Sequence, residues 1–210
     1  GILVFVVMLV NTPDRSINIL KAEMPGPTVD KLVPKSKDTA RTLYIIYTAM
    51  TALEVILLLL GGMSLFDSVV HALSTAGTGG FGAYNASAAN FSPYIQWVLT
   101  VFMFLFAINF NLFYLILLGR MRDVFRNTEF KAFLAMVLVA VAVITAEIMP
   151  LYRTFSDSLR QAAFQVASII STTGFITADF TVWSPLSKVL LLGLMFVGGC
   201  AGSTAGGLKV

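Results

Sequence analysis

Residues 75–82, which read TAGTGGFG, end an apolar segment after about a dozen residues. A helix needs ~20 apolar residues to cross the hydrocarbon core of a bilayer, so this segment is too short to span one. Four of the eight residues in the stretch are glycine, which costs a helix stability. The sequence therefore places a glycine-rich loop at membrane depth, and the rest of the chain must account for it.

Composition places the chain in a membrane. Of its 210 residues 57% are hydrophobic and 12% charged, and the mean hydropathy is +0.85. This composition, with apolar residues gathered in runs of roughly 20 or more, indicates a multi-pass membrane protein. Nucleic acid is therefore not an expected partner. Ten of the fourteen Lys and Arg residues fall in 11–41 and 120–131, which predicts that both segments face the cytoplasm. The single cysteine, Cys200, excludes an intrachain disulfide.

The apolar pattern repeats with a period of 94 residues. Each copy reads as a helix, a short helix, a loop and a second helix, which predicts an all-α polytopic protein built from helix–pore loop–helix units. The superimposed pairs are Leu65 and Leu159, Ser74 and Ser168, Thr78 and Thr172, Gly80 and Gly174, and Phe81 and Phe175.

Five segments follow from this pattern. They are the end of a preceding transmembrane helix (1–10), a cytoplasmic linker (11–41), a first pore-loop repeat (42–119), a second cytoplasmic linker (120–129), and a second repeat ending in a glycine-rich intramembrane loop (130–210). One long outgoing helix is expected over 93–119. Because the chain lacks an initiating Met and stops abruptly, we expect an internal piece of a longer polypeptide.

Helix start signals support the segment boundaries. Ser64 with Asp67, and Ser158 with Gln161, have capping-box spacing and predict the starts of the two short helices. Serine followed by proline predicts the starts of both outgoing helices, Ser92-Pro93 and Ser184-Pro185.

Two loops in matching positions indicate a pathway. Irregular backbone at membrane depth is stable only where it is buried in protein or lines water. Glycine adopts positive φ without steric cost, so successive carbonyls can turn toward one axis and replace the hydration shell of a cation. The alternative is an ordinary turn outside the membrane, against which the repeated copy argues. The candidate ion-binding residues are Thr78, Gly79, Gly80, Phe81, Thr172, Thr173, Gly174 and Phe175.

These motifs resemble known proteins. TGGFG at 78–82 is similar to the Thr-Val-Gly-Tyr-Gly filter of potassium channels, and TTGF at 172–175 is a looser version. Together with HALSTAGTGGF at 71–81 and GGCAGSTAGGLKV at 198–210, they resemble the TrkH/KtrB family of potassium uptake proteins over nearly the whole chain.

The resemblance implies four pore-loop repeats around one pore, of which this chain supplies the second and third. It implies uptake of potassium as the substrate across the cytoplasmic (inner) membrane, with no covalently bound cofactor. It also implies a homodimer in the lipid bilayer and a cytosolic nucleotide-binding regulatory subunit of the TrkA/KtrA kind.

Residues 198–207 allow two interpretations. Glycines four residues apart suit a helix-packing stripe. However, two Gly-Gly pairs weaken a helix, because each glycine costs up to ~1 kcal/mol relative to alanine. In the resembled family this segment is a loop that obstructs the pore. The candidate gate residues are Gly198, Gly199, Gly202, Ser203, Thr204, Gly206 and Gly207.

Four polar residues have more than one interpretation. Glu54, inside its span, is a functional candidate or a protonated group bonded between helices. Asn109 is favoured as lining the cavity below the filter over bonding a neighbouring helix. His71 is expected to be structural. His71 and Ser203 lie on different repeats without an orienting third group, so we expect no enzyme.

A sodium- or proton-coupled secondary transporter with broken helices is the rival function, since discontinuous helices in corresponding halves also mark such carriers. The two repeats here run in the same orientation, each with a pore loop. That arrangement favours a continuous path for the ion.

The charge distribution generates a prediction about topology. Residues 83–92 should be accessible from outside and 20–37 only from the cytoplasm. In the full-length protein, an impermeant thiol reagent applied to intact cells should label Ala86→Cys and not Ser36→Cys. Permeabilised cells, where both should react, are the control. Labelling of Ser36→Cys but not Ala86→Cys in intact cells would overturn the topology.

Overall fold

The computed structural model describes residues 36–152 and 154–208, and this part is helical without a β-strand. The expected helix end at 1–10 and most of the linker at 11–41 lie outside the described residues. The helices are α1 (Ser36–Leu60), α2 (Leu65–Ala76), α3 (Pro93–Phe106), α4 (Phe110–Leu117), α5 (Met121–Arg126), α6 (Thr128–Ile148), α7 (Phe155–Ile170) and α8 (Pro185–Val197), with a 3₁₀ turn at Phe180–Val182.

Among the described residues, two helices are long and apolar enough to cross a membrane. They are Arg41–Leu60 within α1 and Thr128–Ile148, which is α6. Helix α1 includes Ser36, the first described residue, and so extends ahead of the apolar run that starts at 42. Likewise the linker expected at 120–129 contains α5 and the first turn of α6.

The two repeats interlock through α7. This second short helix packs against α3 of the first repeat as well as against α6 and α8 of its own. Its Phe164 and Ala167 belong to the same buried cluster as Leu58, Met103 and Phe106 of the first repeat. Helix α7 therefore contributes to the buried cluster of the first repeat and, through Ala162, Val166 and Ile170, to a second cluster in its own repeat.

Most of the predicted caps are confirmed. The Ser64 hydroxyl accepts a hydrogen bond from Asp67 N at 3.1 Å and donates to its carboxylate at 2.8 Å. Ser92 and Ser184 each accept from the backbone N–H three residues later, at 3.4 and 3.2 Å, and each is followed by a proline in the first turn.

The cap predicted at Ser158 is wrong. Helix α7 begins one turn earlier, with Thr154 as the N-cap, whose hydroxyl accepts from Asp157 N at 3.1 Å. Ser158 lies inside the helix and donates to the Thr154 carbonyl at 3.2 Å, while Gln161 accepts from Thr177 at 2.6 Å. Thr154 and Asp157 have the same spacing, and an ionised acid near a helix N-terminus interacts better with the helix dipole than a neutral amide.

The outgoing helix expected over 93–119 is broken. Helix α3 ends at Phe106 and α4 starts at Phe110, with a bend of 91° between them. Asn109 caps α4 by accepting a hydrogen bond from Asn111 N at 2.9 Å. The prediction of one unbroken helix over this segment is therefore wrong, and the break needs partners for its backbone groups.

The cap of α7 generates a prediction. In the full-length protein, Thr154→Ala should lower the free energy of unfolding by about 1 kcal/mol, because a backbone N–H of the first turn loses its acceptor. The loss is followed as a fall in the midpoint temperature of thermal unfolding in detergent micelles. Ser158→Ala is the matched control and should cost less, since its hydroxyl only bonds back to the preceding turn. A larger loss for Ser158→Ala would contradict the assignment.

Candidate ion pathway

The two candidate filter loops have the same unusual backbone. Thr78 and Thr172 adopt positive φ values of 49° and 57°, which non-glycine residues rarely do. Gly80 and Gly174, two residues further on, have φ values of 69° and 88°. The 94-residue repeat therefore extends to backbone conformation. Sequence reasoning expected positive φ at the glycines but missed it at the threonines.

A serine in each short helix tethers the following loop. Ser74 Oγ accepts a hydrogen bond from Phe81 N at 2.6 Å, and Ser168 Oγ donates to the Phe175 carbonyl at 2.6 Å. The 94-residue repeat aligns Ser74 with Ser168, but no motif in the sequence indicates a role for either serine. The presence of serine at the same position of both repeats was the one sequence signal for this role.

The two loops lie side by side. A Cβ added at Gly80 would overlap the carbonyl oxygen of Thr173 in the other loop. Beyond the filter residues, Ala88 N donates to the Ile176 carbonyl at 3.0 Å, and Ile176 N donates to the Ser87 hydroxyl at 3.1 Å. Two loops that line the same pathway must be neighbours in this way.

The matched phenylalanines have different surroundings. Phe81 is 77% exposed, whereas Phe175 is 1% exposed and stacks on His71 with ring centroids 5.6 Å apart. The His71 ring also meets the Phe91 ring edge-on at 5.1 Å, and its Nδ1 lies 2.8 Å from the Asp67 carbonyl. These contacts fit the structural role expected for His71, which joins α2 to the second loop.

Residues 198–207, called the glycine-rich loop below, are not helical. Helix α8 ends at Val197, and Gly198, Gly202 and Gly207 have positive φ values of 70°, 72° and 103°. The helix-packing stripe considered from sequence is therefore wrong, because spacing by four aligns residues only in a helix.

The glycine-rich loop pairs with the break between α3 and α4. The break frees carbonyls at the end of α3 and an N–H at the start of α4, which lipid cannot satisfy. The hydrogen bonds are Cys200 N to Ala107 O at 2.9 Å, Thr204 N and Oγ1 to Phe106 O at 3.2 and 3.1 Å, and Phe110 N to Gly202 O at 3.0 Å. Two irregular segments, about 95 residues apart in sequence, thus provide hydrogen-bond partners for each other's backbone groups.

The same loop contacts both candidate filter loops through the matched threonines. The Thr78 hydroxyl donates to the Thr204 carbonyl at 3.1 Å, and Gly206 N donates to the Thr172 hydroxyl at 2.8 Å. The glycine-rich loop therefore sits directly against the two loops rather than at a distance below them.

Asn109 and Ser203 are used locally. The Asn109 amide oxygen caps α4, and it lies so near Gly202 that a Cβ there would be 3.0 Å away. The Ser203 hydroxyl donates to the Cys200 carbonyl at 2.6 Å. Neither contact calls for a nucleophile, and a cavity-lining role for Asn109 stays a prediction.

Glu54 is buried within the protein rather than exposed to lipid. Its side chain is 0% exposed, and the Thr75 hydroxyl lies close to its carboxyl group. Neither carboxyl oxygen has a hydrogen-bond partner in the described part of the chain, while Thr75 itself donates to the His71 carbonyl at 2.8 Å. The carboxyl group thus faces the last turn of α2, which leads into the first loop.

Two carboxylates at helix starts, in the first turn of α7 and before the 3₁₀ turn, keep their charge. The Thr154 hydroxyl donates to Asp157 and lowers the pKa of that carboxyl, with Arg160 nearby at 2.8 Å. Thr181 donates to Asp179 and lowers its pKa in the same way. Arg160 compensates the charge of Asp157, so the pair adds little to a local negative potential.

Comparison with known proteins decides the family. A family model described as "TrkH: Cation transport protein" matches residues 1–210. The chain belongs to this family. The chain is similar to the protein of Salmonella typhimurium named "Trk system potassium uptake protein TrkH". The two are 39% identical over 199 residues, which cover 92% of this chain and 41% of that protein. The Halomonas elongata protein of the same name is 36% identical over 217 residues, which cover 100% of this chain and 45% of that protein.

A solved structure agrees with the fold. The crystal structure of the potassium transporter TrkH from Vibrio parahaemolyticus matches with a TM-score of 0.82 at 32% identity, covering 99% of this chain and 44% of that one. The chain therefore spans less than half of the length of these TrkH proteins. The family resemblance and the all-α membrane fold predicted from the motifs are confirmed.

Proposed function

We propose that the full-length protein takes up potassium across the cytoplasmic membrane through a filter lined by backbone carbonyls of the two loops. The observation that carries this proposal is the shared left-handed backbone of the loops, at Thr78 and Gly80 and again at Thr172 and Gly174. Backbone turned in this way presents consecutive carbonyls to one axis, as coordination of a dehydrated cation requires. Names of the relatives support potassium as the substrate.

The glycine-rich loop is proposed as the gate of this pore. Its hydrogen bonds to Thr78 and Thr172 hold it against both filter loops, where it would narrow the path on the cytoplasmic side. Neutral hydrogen bonds contribute only about 1 kcal/mol each, so the loop can reorganise at moderate cost.

The assembly is part of the same proposal. We expect a homodimer in the inner membrane, because the chain resembles a family with that organisation. We also expect a cytosolic nucleotide-binding subunit of the TrkA/KtrA kind to act on the gate. Potassium is the substrate, and no cofactor is proposed.

A coupled secondary cation transporter is the second candidate. The 91° bend between α3 and α4 favours it, since broken helices near the midplane bind ions in such carriers. Single-channel recording of the full-length protein separates the two functions. Unitary currents support a pore, whereas transport that requires a sodium or proton gradient supports the carrier.

The filter generates a prediction about selectivity. Gly80→Ser and Gly174→Ser should each weaken the preference for potassium over sodium, because a side chain is strained at positive φ. Gly80→Ser should have the larger effect, since its Cβ also overlaps the Thr173 carbonyl, while Gly174 faces open space. Ion uptake by cells that express the full-length variants measures the effect.

Gly119→Ser is the matched control for this test. Gly119 also has a positive φ, of 73°, and no neighbour that a Cβ would meet, but it lies at the far end of α4. It should carry the same backbone strain without altering selectivity. Wild-type selectivity in both filter variants, or an equal change in Gly119→Ser, would contradict the filter assignment.

The gate generates a second prediction. Deleting residues 199–206 from the full-length protein should raise ion flux and reduce its dependence on the cytosolic partner. Because the deletion also removes partners of the α3–α4 break, Thr204→Val is measured beside it. This variant loses one hydrogen bond to the Phe106 carbonyl, roughly 1 kcal/mol, and should raise flux by a smaller factor.

Flux through proteoliposomes and dimer formation by size-exclusion chromatography are the measurements for the gate. A deletion variant that inserts and dimerises normally but conducts no faster than wild type would remove the gate from the proposal. If the deletion fails to fold, unchanged flux in Thr204→Val has the same consequence.

A further inference from the structure

One hydrogen bond joins the glycine-rich loop to a charged side chain far away in sequence. Ala201 N donates to Glu129 Oε1 at 2.5 Å across 72 positions of the chain. Glu129 is half-buried in the first turn of α6, which follows the basic cytoplasmic linker. No motif in the sequence marks Glu129.

We propose that Glu129 is a positioning residue that holds the glycine-rich loop in its obstructing place. This inference rests on the proposed function of the loop as a gate. The inference goes further by naming Glu129 as the residue that fixes the loop and α6 as the helix that carries this residue.

The chemistry of this contact sets it apart from the other hydrogen bonds of the loop. Those to Phe106, Ala107 and the filter threonines join neutral groups, whereas Glu129 offers an ionised acceptor to a backbone N–H. Charge-assisted hydrogen bonds are roughly twice as strong as neutral ones. Because the neighbouring glycines do not resist rotation of the backbone, an anchor of this strength has a large influence on where the loop lies.

The position of Glu129 also connects the loop to the cytoplasmic side. Helix α5 ends at Arg126, and Asn127 caps α6 by accepting from Phe130 N at 2.8 Å. Glu129 follows two residues later, in the same rigid turn. A displacement of α5 therefore moves the acceptor of this hydrogen bond, and the loop is released or held accordingly.

Cys200 provides a readout that does not depend on ion flux. It is 4% exposed and precedes Ala201 directly. In a full-length protein whose other cysteines are replaced, Glu129→Ala should raise the rate at which a small thiol reagent modifies Cys200 by about tenfold, the factor expected for a lost charge-assisted hydrogen bond. Glu129→Gln, which keeps a neutral acceptor, should raise it less.

Two controls separate this role from a general effect on α6. Glu147→Ala removes an exposed acid near the other end of the same helix and should leave the rate unchanged. Thr128→Glu combined with Glu129→Ala restores an acid to the first turn, where it favours the helix dipole, but on a different face. It should not restore protection of Cys200.

An unchanged rate in Glu129→Ala, or protection restored by Thr128→Glu, would overturn the proposal. If Glu129→Ala fails to fold, Glu129→Gln decides, and an unchanged rate there overturns it too. Faster modification supports it whatever the flux. Faster modification without increased flux would instead count against the loop as the gate, so the two proposals fail separately.

Discussion

The structure depends on backbone hydrogen bonds between the glycine-rich loop and the break that separates α3 from α4. Neither segment is stable alone at membrane depth, because lipid offers no partner for an exposed N–H or carbonyl. Cys200 and Thr204 satisfy the carbonyls that end α3, and Gly202 accepts from the first N–H of α4. The bend between α3 and α4 and the end of α8 therefore depend on the same set of backbone hydrogen bonds.

This pairing brings the rest of the candidate pathway together. A loop held at the break comes within hydrogen-bonding distance of Thr78 on one side and Thr172 on the other, and of Glu129 at the start of α6. Most of these contacts are neutral hydrogen bonds with a net worth of about 1 kcal/mol. The segment is thus well placed and yet not strongly fixed, which is compatible with the gate role proposed for it.

The two candidate filter loops share their backbone conformation but differ in their surroundings. Each candidate filter loop is bonded to a serine of its short helix, but α7 is packed on three helices, and Phe175 is buried where Phe81 is exposed. The second loop is accordingly supported by His71 of the first repeat, with which Phe175 stacks. A change at His71 acts on both repeats.

The sequence by itself determined what local chemistry decides. Ser64 and the two Ser-Pro pairs set helix starts, and the 94-residue repeat matched the two candidate filter loops. The Gly-Gly pair after Val197 left a loop and a helix-packing stripe both open, and the structure decided for the loop. Only the tertiary structure decided the break after Phe106, because the apolar run has no proline or glycine there and the partners of its free groups lie about 95 residues away. The contact of Glu129 with Ala201 was hidden for the same reason: a backbone N–H carries no side-chain signature, so the acceptor it selects depends on the folded chain.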